Sequence, residues 1–188
     1  ELGCGAFQFF PSSSRAWEPK PIDAKQESTF KDFSKGMIAI AHMPYLCNPS
    51  SANKTVLEKS KGMLARMQNA CEGLAVPYLV VHPGSHLGAG FAKAKEAIAE
   101  AMPEPSKEVK ILFENLSGYK NSVGSSFSEL GEILEMLDGY NTGICLDTCH
   151  AYAAGYDIAS IEGMEKMTEE IDRYIGNGRI NAIHLNDS

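Results

Sequence analysis

Residues 78–82 read YLVVH, four apolar side chains closed by an imidazole. A short run that is apolar at every position suits a strand covered on both faces, as in a parallel sheet flanked by helices. The histidine is then the first side chain past the strand's carboxyl end. The same pattern recurs on both sides of this stretch. MIAIA at 37–41 runs into His42, KILF at 110–113 into Glu114, TGICL at 142–146 into Asp147, and INAI at 180–183 into His184. A sixth apolar run, GAFQFF at 5–10, precedes them. Amphipathic stretches at 54–74, 91–102, 127–137 and 160–175 lie between runs and are predicted to be helices, with Ser126 and Ser160 at the start of the last two. Strands alternating with helices imply a parallel α/β fold, here a (β/α)8 barrel with about six of its eight units present. In such a barrel all strand carboxyl ends share one rim, so five residues far apart in sequence are expected to converge.

The bulk composition is that of a globular domain. In 188 residues, 44% are hydrophobic and 22% charged, enough for one core and short for two. The reading is therefore a single incomplete barrel domain over residues 1–188. No apolar run is long enough to span a bilayer, which excludes a membrane partner of that kind. The five cysteines, Cys4, Cys47, Cys71, Cys145 and Cys149, contain no CxxC pair and fit a reducing cytoplasm better than a disulfide framework. A net charge of −7 argues against a general polyanion binder, unless several divalent cations supply the local positive charge.

Those cations are what the strand ends suggest. Histidine nitrogens mixed with carboxylate oxygens suit Zn²⁺, with Mn²⁺ or Fe²⁺ as substitutes. One histidine after an apolar strand is more often a hydrogen-bonded core residue than a ligand. Five metal-competent endings in series reverse that reading, and His150, three residues after Asp147, adds a sixth candidate. Three histidines with two carboxylates suggest a multinuclear centre, the usual device for phosphodiester hydrolysis. His86 is evenly balanced between bracing its loop and touching the site. Cys145 and Cys149 are read as structural, and Phe7, Phe9 and Phe10 as core or barrel-face residues.

The strand ends sit in longer strings: HPGSH at 82–86, Glu114-Asn115, DTCHAYAAGYD at 147–157 and HLND at 184–187. Together, and in this order, they resemble the endonuclease IV family of apurinic/apyrimidinic endonucleases, and the resemblance covers the whole chain. It implies a zinc-dependent DNA-repair enzyme that cuts the phosphodiester 5′ to an abasic site, leaving a 3′-hydroxyl and a 5′-deoxyribose phosphate. By the resemblance, His42, His82 and Glu114 bind one zinc. Glu114, the catalytic carboxylate, bridges to a second zinc held by Asp147 and His184, and His150 serves a third. Double-stranded DNA with an abasic site is the implied partner. Arg15 would enter the duplex near the lesion and Tyr45 would meet the opened minor groove. A glutamine that often follows that arginine in the family is Ala16 here. The complete protein is expected to work as a monomer.

Three features of the family are not found. Its first strand, with a histidine-bearing start, is not seen before Glu1. The Asp-x-His pair of the third zinc site and the glutamate of the final strand are not seen by Ser188. The chain expressed as written is accordingly expected to be inactive. The alternatives are a sugar isomerase or epimerase on the same barrel, which needs one Mn²⁺ or Co²⁺ and fewer histidines, and a non-catalytic remnant that keeps the motifs alone.

Overall fold

In the computed structural model, residues 3–13, 16–18 and 20–186 are described. Six strands form one sheet in the order β1 to β6, and every adjacent pair is parallel. They are β1 (Ala6–Phe9), β2 (Ile38–His42), β3 (Tyr78–Val81), β4 (Lys110–Glu114), β5 (Thr142–Asp147) and β6 (Ile180–His184). Helices α1 (Ala24–Phe33), α2 (Lys54–Leu74), α3 (Phe91–Ala101) and α4 (Phe127–Met136) make the first four crossovers. The last crossover holds a short α5 (Thr148–Ala153), then α6 (Ile161–Tyr174) and a 3₁₀ turn at Asn177–Arg179. The sheet is strongly curved. Gln8 on β1 and His184 on β6, at opposite ends of the strand order, meet at 2.8 Å. The architecture is an incomplete (β/α) barrel.

Side-chain parity sorts the strands into two faces. Ala41, Leu79, Val81, Ile111, Phe113, Ile144 and Leu146 point outward into the main core against the helices. Val80, Leu112 and Cys145 point inward and form a small second cluster with Ile40, Tyr78 and Ala182. His42, His82, Glu114 and Asp147 share the inward parity one step beyond that cluster. The sequence pattern therefore delivers them to the rim of the barrel interior.

The amphipathic stretches fold as expected, within a residue at their ends. For α2, Asn53 caps the start by accepting from the Thr55 and Val56 N–H groups, and Leu57, Met63, Leu64, Met67 and Leu74 are buried. Ser126 and Ser160 cap α4 and α6 through the N–H groups of Glu129 and Gly163. Two helices were not expected. No residue of α1 is fully buried, so its apolar signal is faint; a reciprocal capping box between Asp23 and Gln26 defines its start instead. The six-residue α5 is too short for periodicity to reveal, and it begins on Asp147 itself, whose side chain accepts from the His150 N–H. Among the described residues no helix is long and apolar enough to cross a membrane.

Candidate functional site

Glu114, the last residue of β4, is almost completely buried, with 2% of its surface exposed. Each of its carboxylate oxygens faces two imidazoles. Oε2 lies 3.1 Å from His42 Nε2 and 3.0 Å from His82 Nε2. Oε1 lies 3.0 Å from His184 Nδ1 and 3.4 Å from His150 Nδ1. Asp147 joins the second group, with Oδ2 3.7 Å from His184 Nδ1 and Oδ1 3.9 Å from His150 Nδ1. All six candidate ligands named from the sequence thus converge at one rim, with Glu114 between two clusters.

The outer nitrogens of His42 and His184 are engaged, and so is Nδ1 of His150, the nitrogen that also faces Glu114. His42 Nδ1 is 2.7 Å from the Met43 carbonyl, His150 Nδ1 is 2.9 Å from the Asn115 carbonyl, and His184 Nε2 is 2.8 Å from Gln8 Oε1. An acceptor on one ring nitrogen fixes the tautomer and leaves the other nitrogen's lone pair for a ligand.

The electrostatics follow from this packing. Burial alone would push the Glu114 carboxyl up, but contacts from His150, His184, His42 and His82 together hold it well below the usual carboxylate range. His150 and His184 are both raised above their ordinary value, in each case mainly by the hydrogen bond to Glu114. Cys145 lies near Glu114 and His184 but is buried on the inner face, where desolvation keeps its thiol protonated. It acts as core, as the sequence suggested.

The donor set fits a divalent cation. Two groups, His42–His82–Glu114 and Glu114–Asp147–His150, each bring their ligand atoms within 4.8 Å of one another; Cys145 lies as close to Glu114 and His184 but is set aside as a protonated core thiol. Two ligand atoms about 2.1 Å from a shared tetrahedral cation lie about 3.4 Å apart, the range seen around Glu114. Four rings crowding one buried carboxylate is the arrangement expected of a bridging ligand between two ions.

Tyr45 stands at the same rim and is 67% exposed, with its ring 5.7 Å from those of both His42 and His82. Phe10, expected in the core or on the barrel face, lies outside the core clusters and stands at the rim. Its ring lies 5.3 Å from His42 and 5.6 Å from Tyr45 and is partly open to solvent, whereas Phe7 and Phe9 pack outward on Phe30. It ends an apolar run, and only its position beyond β1 separates it from its neighbours. Arg15 lies outside the described residues. His86 braces its loop: Nδ1 accepts from the Gly88 and Gly90 N–H groups. In the same loop Gly84 has φ +96°, and a Cβ there would run into the Asn48 amide. Asp157, which ends the long 147–157 string, accepts from the Ala159 and Ser160 N–H groups and organises the entry to α6.

The family model for the xylose isomerase-like TIM barrel matches residues 1–188. The probable endonuclease 4 of Cenarchaeum symbiosum is 41% identical, over the whole of this chain and 70% of its own length. The crystal structure of endonuclease IV from Thermus thermophilus superposes with a TM-score of 0.86 at 36% identity, covering 99% of this chain and 68% of that one. A D-tagatose 3-epimerase-like protein has a TM-score of 0.73 at 21% identity, a likeness of fold alone. By its sequence and its architecture, the chain belongs to the endonuclease 4 family of the xylose isomerase-like TIM barrels.

Proposed function

We propose that the protein is a zinc-dependent DNA-repair endonuclease that hydrolyses the phosphodiester 5′ to an abasic site, leaving a 3′-hydroxyl and a 5′-deoxyribose phosphate. The observation that carries this reading is the division of Glu114, with His42 and His82 on one oxygen and His150 and His184 on the other. A single-metal isomerase or epimerase has no use for four imidazoles around one carboxylate, so the second reading is not favoured.

Three zinc ions are assigned, with Mn²⁺ as a substitute. His42, His82 and Glu114 would hold the first, Glu114, Asp147 and His184 the second, and His150 would contribute to the third. Bound there, the metals would supply a water of lowered pKa and neutralise phosphate charge. The protein's own part is geometric. Glu114 ties the two halves together, and the buried strand ends keep the ligands from relaxing when substrate enters. Tyr45 gives an exposed aromatic face for DNA opened at the lesion, and Arg15 would hold the duplex beside it. The −7 net charge makes non-specific duplex binding weak, so DNA recognition would depend on the metals and these rim residues. Action as a monomer in a reducing cytoplasm completes the reading, and the five free cysteines suit that compartment.

The test is a duplex with one synthetic abasic site, offered to the zinc-loaded full-length protein. A nick 5′ to the site whose new end a DNA polymerase can extend is the expected result. Cleavage on the 3′ side by β-elimination, or sugar epimerisation without nicking, would refute the reading.

A further inference from the structure

Asn115 follows Glu114 directly, and the register between β4 and β5 ends there, at Glu114 opposite Cys145. Beyond this point the backbone of β4 no longer pairs with β5, yet Asp147 lies two residues further on. The Asn115 side chain takes over. Its Oδ1 accepts from the Asp147 N–H at 2.7 Å and its Nδ2 donates to the Asp147 carbonyl at 3.0 Å. One amide therefore engages both backbone groups of one residue, as a neighbouring strand would, and Asn115 is 2% exposed. Asp147 in turn caps α5 through Oδ1, which accepts from the His150 N–H at 2.7 Å. The His150 ring then closes the circuit, with Nδ1 2.9 Å from the Asn115 carbonyl. That carbonyl is the closer of two acceptors Nδ1 meets, Glu114 Oε1 being 3.4 Å away.

We propose that Asn115 is the positioning residue for the Asp147–His150 half of the site, and this rests on the metallonuclease reading above. Its amide fixes the Asp147 backbone, and its carbonyl selects the His150 tautomer protonated on Nδ1. The Asp147 carboxylate and the His150 ring are thereby held in place for the second and third ions assigned above. Among the described residues no equivalent clamp serves His42, whose outer nitrogen uses the adjacent backbone carbonyl of Met43. Asn115 should therefore matter to one half of the site and not to the other.

The experiment compares the full-length wild-type protein with Asn115→Ala and Asn115→Asp, each loaded with zinc and dialysed against graded chelator. In Asn115→Ala, zinc on the Asp147–His150 side should be lost at chelator activity about 10- to 100-fold lower, the usual cost of removing an outer-shell partner. The His42–His82 zinc should be retained as in wild type. Asn115→Asp keeps an acceptor for the Asp147 N–H and should fall between the two. Long-range ¹H–¹⁵N correlation of the wild-type imidazoles provides a reading that needs no variant, and should find His150 protonated at Nδ1. Wild-type zinc affinity in Asn115→Ala, or a His150 ring protonated at Nε2, overturns the proposal. A wild-type protein that takes up no zinc overturns the nuclease reading instead, and the ring assignment in the metal-free protein still decides the role of Asn115.

Discussion

On the Oε2 side of Glu114, His42 and His82 stand at the ends of β2 and β3, strands paired on both edges. The His42 side chain is 5% exposed and is steadied by the carbonyl of the next residue. On the Oε1 side, His184 ends β6, which pairs only with β5 among the described residues, and His150 rides on the short α5. Their further partners come from far away in sequence, Gln8 on the outer nitrogen of His184 and Asn115 on the Nδ1 of His150 that also faces Glu114. His42 is held by the same burial that holds the core, whereas the His82 side chain, 25% exposed, is no more buried than the rings on the other side. The second half is held by individual hydrogen bonds between loops and strand ends. Rigidity from packing is shared among many contacts, while rigidity from a few polar links fails when one is cut.

The largest effect should come from the residue common to both halves. Glu114→Gln keeps the shape but removes the anion that four imidazoles share. Single-turnover cleavage of abasic duplex is expected to fall by at least about a thousandfold, the upper scale for losing one charge-stabilising group. Binding to the same duplex, measured by gel shift, should survive in part through Tyr45. Near-normal cleavage by this variant would mean that Glu114 bridges nothing.

Single-ligand variants separate the halves. In metal-free protein, His42→Ala should lower the unfolding free energy by about 2–3 kcal/mol, because a buried ring leaves both a cavity and an unpaired carbonyl. His184→Ala should cost about 1 kcal/mol or less, since it removes a partly solvated ion pair at a strand edge. Urea denaturation in chelator measures both. Equal losses would erase the difference between a packed half and a linked half.

The response to pH should differ between metal-free and loaded protein. His150 and His184 have folded values raised above their ordinary 6.5, chiefly by Glu114. Their stabilisation is therefore fully present below about 6.5 and is lost as pH rises through the raised values. Glu114 has the opposite sign: its contribution is present above its ordinary 4.5 and lost only as pH falls through a much lower value. Metal-free protein should thus be most stable at mildly acid pH and weaken toward pH 8. Zinc must displace the imidazole protons, so its binding tightens over the same interval. Melting temperatures with and without zinc should diverge from pH 5.5 to 8, and parallel curves would contradict the shared-carboxylate geometry.

The two halves also differed in how far the sequence revealed them. The ligands themselves were legible because each ends an apolar strand, and parity then forces them to one rim. Helix α2 was legible because Asn53 caps a regular apolar stripe. The supporting residues carry no such pattern. Asn115 reaches across 32 positions and Gln8 across 176, and an amide beside a strand end looks the same whether it faces solvent or a metal ligand. Helix α1 carries little apolar signal because it buries no complete side chain, and an apolar run alone does not decide whether Phe10 takes the core or the barrel face.

The effect expected at Gln8 is confined to one ring, and it sharpens the comparison most. Its Oε1 receives His184 Nε2 at 2.8 Å, which leaves Nδ1, 3.0 Å from Glu114 and 3.7 Å from Asp147, as the nitrogen turned to the site. The link is made at a solvent-exposed position, where water can replace the amide oxygen at modest cost. Gln8→Ala should therefore weaken zinc on the His184 side by about tenfold, the low end of outer-shell effects. Zinc held by His42 and His82 should not change. Gln8→Glu keeps an acceptor for the same N–H and should restore most of the loss, which separates tautomer control from simple packing. Chelator competition at fixed pH reads all three proteins. If Gln8→Ala weakens zinc on both sides of Glu114 equally, the halves are mechanically coupled and the distinction between them falls.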